Sequence, residues 1–162
     1  MKHVLSIVLF VTLPISALAE TQLERLETIS EQMTSGMFEA MIRMVEKEGG
    51  NPAPLRDAIP DSTWNDVYRD AGACLLDRYT NASSASVVDD MLDRMEAFIP
   101  QIAEMDLETM EEDTDFLPEG ISEEFSLQVN SECGLTNLMM ERMEESGFMA
   151  AMMQSMMEID AQ

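Results

Sequence analysis

Histidine is all but missing from this chain of 162 residues: His3 is the single one, and it falls in the first few positions. Two cysteines, one tryptophan and nine basic side chains stand against 32 acidic ones. Each shortage excludes something. Without histidine beyond the leader, no Ser-His or Cys-His nucleophile can be assembled and the common hydrolytic zinc ligand sets are gone. No glycine-rich phosphate loop is present. A net charge of −23 repels phosphate, which argues against nucleic acid or an anionic lipid surface as partner. There is no apolar run of 18 or more residues to span a membrane and no period-2 run of strand-forming residues. The thirty-two carboxylates supply many acid–base pairs and single out none. Lys47, among glutamates at a helix end, suits a surface ion pair better than a Schiff base. The expectation is a non-enzymatic protein with no cofactor.

What is present begins with a leader. Lys2 and His3 open the chain, an apolar run from Val4 to Leu13 follows, and Ala17-Leu18-Ala19 closes it as a small-x-small cleavage site. Residues 1–19 therefore read as a signal peptide, its apolar core falling short of the roughly 20 residues that a membrane span needs. Residues 20–162 are expected to form one helical domain, periplasmic or secreted. Without Lys2 it carries eight basic groups against 32 acidic ones, a net charge near −24. Nothing suggests a lipid anchor, because no cysteine lies near the cleavage point. Asn81-Ala82-Ser83 is a formal glycosylation sequon with no meaning in a bacterial envelope protein.

Helical periodicity dominates the rest. Thr21 and Glu24 form a capping-box pattern ahead of a stripe of Leu23, Leu26, Ile29, Met33, Met37, Met41, Met44 and Val45. Gly49-Gly50 ends that helix, and Asn51-Pro52-Ala53-Pro54 reads as a loop. A second helix starts near Asp61 or Ser62, with Trp64, Val67, Tyr68, Ala71, Cys74 and Leu75 on one face. After a break at Asn81–Ser84, a third carries Val87, Val88, Met91, Leu92, Met95, Phe98 and Ile99 and is interrupted at Pro100. Glu104–Glu124 holds ten acidic residues and no basic one, read as a short helix near 107–112 and then a loop. A long helical pattern runs through Ile121, Phe125, Val129, Cys133, Thr136, Met140 and Met143, Ser146-Gly147 breaks it, and Phe148–Ile159 forms a last, unusually apolar helix. The fold class is all-α, a small bundle of about five helices cross-linked by one disulfide.

That disulfide joins Cys74 and Cys133, both on core-facing stripes of an exported chain. It closes a loop of about 60 residues, worth on the order of 4 kcal/mol in the chain-entropy account. No Cys-x-x-Cys pair points to a thiol redox centre instead.

Methionine is the surplus. Of 17, sixteen follow the leader, against eleven leucines there, a reversal of ordinary usage. Three readings compete: adaptable core filler, a plastic groove for apolar partners, and a Cu(I) site of clustered thioethers. The richest cluster is the last helix, where Phe148, Met149, Met152, Met153, Met156 and Met157 are the candidate interaction residues. Met149, Met152, Met153 and Met156 are the alternative Cu(I) ligands. The expected partner is a protein or an apolar ligand, bound through a helix whose thioethers one buried face cannot hide.

Three motifs fail on inspection. An EF-hand loop begun at Asp113 has acceptable ligands at Asp113, Asp115 and Glu124, but Leu117 and Pro118 stand where an oxygen ligand and a glycine are required. Met91–Glu96 echoes Met139–Glu144 without extending to a repeat. Glu145-Ser146-Gly147-Phe148 resembles the start of the Glu-Ser motif of lytic transglycosylases over four residues, but the Gly-Leu-Met-Gln element is missing downstream.

Overall fold

A computed structural model describes residues 15–102 and 116–160. Among them are seven helices and no strand: α1 (Ile15–Lys47), α2 (Ala53–Asp57), α3 (Asp66–Ala82), α4 (Ala85–Ile102), α5 (Glu123–Cys133), α6 (Leu135–Glu145) and α7 (Phe148–Asp160). None is long and apolar enough to cross a membrane. The all-α class and the Cys74–Cys133 cross-link stand as expected from sequence.

The 33-residue α1 is the spine. Along its first half α3 packs antiparallel and α4 parallel. Arg69 on α3 pairs with Glu27 at 2.8 Å, while Gln22 donates to the Ala85 carbonyl and Arg25 meets Asp93 at 2.5 Å on α4. Leu26, Ile29, Leu75, Leu76, Tyr79, Val88, Met91, Leu92 and Val129 form the core enclosed there. Along its second half α1 meets α2 and α7, and a second core of Phe38, Ile42, Val45, Leu55 and Phe148 lies between them. The Phe38 and Phe148 rings meet edge to face at 4.6 Å, a geometry that adds to the area they bury. Tyr79 and Ser126 share a buried hydrogen bond of 2.7 Å between α3 and α5, close to the disulfide that ties the same pair.

Several boundaries differ from the sequence reading. Helix α1 starts at Ile15, so Thr21 lies inside it and not at its cap. Alanines 17 and 19 and Leu18 are strong helix formers, and the helix propagates back through them. Segment 51–54 is not all loop: Pro54 sits in the first turn of the short α2, where a missing N–H costs nothing. Helix α3 begins at Asp66, because Asn65 caps it by accepting the Tyr68 N–H at 3.1 Å. Asp61 and Ser62 belong to a turn, with the Asp61 carboxylate accepting the Thr63 N–H.

Helix α4 passes through Pro100 and continues to Ile102, whose carbonyl accepts from Arg43 at 3.2 Å. Its Ile102 side chain lies against Gly36 of α1, closely enough that a Cβ there would meet it at 2.9 Å. The single long helix expected from Ile121 is two helices, α5 and α6. Gly134, at φ +81, adopts the left-handed conformation and ends α5 while its N–H bonds the Asn130 carbonyl. Both cysteines are half-buried at the α3–α5 seam and not deep in the core. The short helix expected near 107–112, and Asp113 and Asp115, lie outside the described residues.

Candidate functional site

A cavity of about 870 Å³ opens in the centre of the bundle. Each wall follows from a helical spacing. Helix α1 presents Leu26, Ser30, Thr34 and Phe38, four residues apart along one row. From α3 come Tyr68, Leu75 and Tyr79, from α4 Met91 and Met95, and from α5 Ser126 and Asn130. Helix α6 contributes Leu135, Thr136, Met139, Arg142 and Met143, one face of a single helix. Pro60, Ser62 and Trp64 close one side from the turn before α3, and Phe116 and Leu117 line another part.

The aromatic side of this cavity is firmly held. The Trp64 N–H donates to Glu31 at 2.8 Å, and its ring covers Gly72, where a Cβ would stand 2.4 Å from the indole Cζ3. Trp64 and Tyr68 rings lie 6.1 Å apart, and the Tyr68 hydroxyl donates to the Leu138 carbonyl at 2.7 Å. Arg142 stacks its guanidinium over the Tyr68 ring, 3.9 Å from the centroid, and donates to the Thr63 carbonyl at 3.0 Å. Burial pushes the Tyr68 phenol above its ordinary pKa; the Arg142 charge opposes this, while Glu141 and Glu145 add to it. Asp61, beside them, is held below the usual carboxylate range by the Thr63 N–H first and by Arg142 to a smaller degree. Arg142 and Glu123 are the charged residues on the described walls, and the remaining polar groups are hydroxyls and one amide. Such a lining can hold an apolar molecule and orient one polar end. It offers neither a nucleophile–base pair nor a metal-ligand cluster among the described residues.

The candidate residues on α7 divide by face. Phe148, expected at an interaction surface, is 1% exposed and belongs to the core against Phe38; a residue so placed cannot meet a partner. Met152 also turns inward, half-buried against the second core. Met149, Met153, Met156 and Met157 are exposed, Met153 and Met157 at 63% each. The inward row of Phe148, Ala151, Met152, Ser155 and Ile159 and the outward row of Met149, Met153, Met156 and Met157 are the two sides of one helix. Met149, Met152, Met153 and Met156, the alternative Cu(I) ligands, follow the i, i+3, i+4, i+7 spacing of one stripe, with Met152 at its half-buried edge and the other three exposed.

The cavity is the feature that sequence reasoning missed. Its signal was present in pieces. Trp64 and Tyr68 share helical spacing, and Leu135, Met139, Arg142 and Met143 repeat at three and four, but Arg142 among glutamates reads as surface. Comparison with protein families, characterised proteins and solved structures finds no match to this chain.

Proposed function

We propose that this chain is an exported, periplasmic or secreted binding protein without enzymatic activity, and that it carries a small apolar ligand in the central cavity. One observation carries the reading: a half-open cavity of about 870 Å³, within the size range of small-molecule sites, lined chiefly by Leu, Met, Phe, Tyr and Trp side chains. Met91, Met95, Met139 and Met143 lie on its walls, where flexible thioether chains adapt to ligands of differing shape. Export rests on the leader at residues 1–19. The Cys74–Cys133 disulfide is compatible with an oxidising compartment. Trp64 is the only tryptophan and lines the cavity, so its emission reports on occupancy directly. Titrating the purified protein with dodecanol should change that emission saturably, and native mass spectrometry of protein taken from its own envelope should show a small-molecule adduct. Absence of both, up to the solubility limit of the alcohol, removes the reading.

A second reading keeps Cu(I) as ligand, held by thioethers of α7. It is favoured by the shared exposed face of Met149, Met153, Met156 and Met157 and by the softness of sulfur donors. The ligand set of this reading is Met149, Met152, Met153 and Met156, with Met157 beside them on the exposed face. Cu(I) competition titration of a variant with those four methionines changed to Leu decides it: unchanged copper affinity ends the reading.

A further inference from the structure

Resting on the cavity reading above, we infer that the ligand is an anionic amphiphile, a monocarboxylate with an aliphatic tail, and that Arg142 receives its head group. The argument starts from charge. The protein holds far more acids than bases, so nearly any arginine should find a carboxylate. Arg25, Arg56, Arg69 and Arg78 all do. Arg43 and Arg142 do not: among the described residues no carboxylate lies within ion-pair distance of either, and of the two only Arg142 is on the described cavity walls. Its one hydrogen bond to protein goes to the Thr63 carbonyl. A guanidinium has five N–H donors in a planar fork that matches a carboxylate edge to edge. One donor and one ring face of Arg142 are engaged, the face by Tyr68 at 3.9 Å, and these contacts fix the plane while leaving the other donors unused.

Arg142 also lines the cavity, half-buried, with Leu135, Met139 and Met143 beside it on the same helix face. A ligand whose carboxylate pairs with the fork places its tail along those thioethers toward Phe38. The nearby acids stand beyond ion-pair distance of the arginine, and the Asp61 and Arg142 charges act on each other only at longer range. Asp61 is engaged by the Thr63 N–H, and Glu141 and Glu145, which act on Tyr68, are exposed. The described walls carry one cation, Arg142 on α6, and one anion, Glu123 on α5, so a negative head group is matched at Arg142 alone. A bidentate, charge-assisted pair on a half-open, largely apolar wall then separates a carboxylate from an alcohol of equal length.

The test is a set of Trp64 emission titrations with dodecanoate, dodecanol and dodecyltrimethylammonium, each below its micellar concentration, on the native protein, Arg142→Gln and Arg142→Lys. Native protein should bind dodecanoate about ten-fold more tightly than dodecanol. Arg142→Gln should erase that preference, with Arg142→Lys keeping part of it. Equal affinity for dodecanoate and dodecanol in the native protein overturns the head-group inference while the cavity reading survives, and this comparison needs no variant to fold. Tightest binding of the ammonium overturns it by sign. Binding of none of the three overturns the cavity reading itself.

Discussion

Single residues decide the shape of the cavity wall, and Gly72 is the clearest. It is buried inside α3, where glycine is unfavourable for a helix by about 1 kcal/mol relative to alanine. The Trp64 ring explains its presence, since a Cβ at residue 72 would fall 2.4 Å from Cζ3 and 2.7 Å from Cη2. Gly72→Ala should therefore destabilise by about 1–3 kcal/mol, as overpacking does, despite the gain in helix propensity. The indole has to move toward the cavity or solvent, so a chemical melt should be accompanied by a changed native Trp64 emission. Equal or higher stability would show that Trp64 yields without strain. On α7 the contrast is between Phe148 and Met153, at 1% and 63% exposure. Phe148→Ala should cost about 3–5 kcal/mol, while Met153→Gln should stay within about 0.5 kcal/mol of the parent. Urea midpoints of the two variants check both.

At the scale of elements, the α3–α5 contact is the one fastened covalently. Cys74 and Cys133 are 59 residues apart in sequence and 5.7 Å apart at Cα. Replacing both by Ser should lower stability by roughly 2–4 kcal/mol through the larger entropy of the unfolded chain. Urea unfolding of the variant measures this, and the native protein should gain the mass of two hydrogens on reduction. The expected product of maturation begins at Glu20, which intact mass also reads. Loss of the bond should loosen α5 before α7, because α7 is anchored separately on the second core by Phe148, Ala151 and Ile159. Hydrogen exchange should show protection falling first around Ser126 and Val129.

For the whole molecule, charge is the governing quantity. The described ion pairs occupy four arginines and lie at least partly in solvent, where each contributes little. They cannot offset 32 acids. Protonating part of the carboxylates as pH falls removes negative charge from the compact state and relieves repulsion. Melting temperature should therefore rise from about pH 8 to about pH 5, and rise with salt. Asp61 acts in the opposite sense. Its pKa is depressed in the folded state by the Thr63 N–H, so its contribution is present above the unfolded value and lost as pH falls through the folded one, below about pH 4. A maximum near pH 4–5 is the expected profile. A melting temperature that falls steadily from pH 8 downward would show paired carboxylates dominating.

Local sequence determined the helical class and the partners of the disulfide, because side-chain period and residue type act over one or two turns. Core positions on α3 and α4 such as Leu75, Met91 and Leu92 were legible for the same reason. The split of α1 was not. Its expected single stripe of Leu23 to Val45 omits Phe38 and Ile42, both buried, because α7 approaches the second half of the spine from a different side than α3 and α4 approach the first. Nor did local pattern show that Gly134 would divide a continuous helical stripe, which left Met140 exposed. The cavity belongs wholly to tertiary structure. Its walls come from five helices, the turn before α3 and the segment at Phe116 and Leu117, separated by up to 117 positions from Leu26 to Met143. Arg142 becomes a wall residue through Tyr68 and Thr63, 74 and 79 positions away, and such distances leave no periodic trace in a sequence.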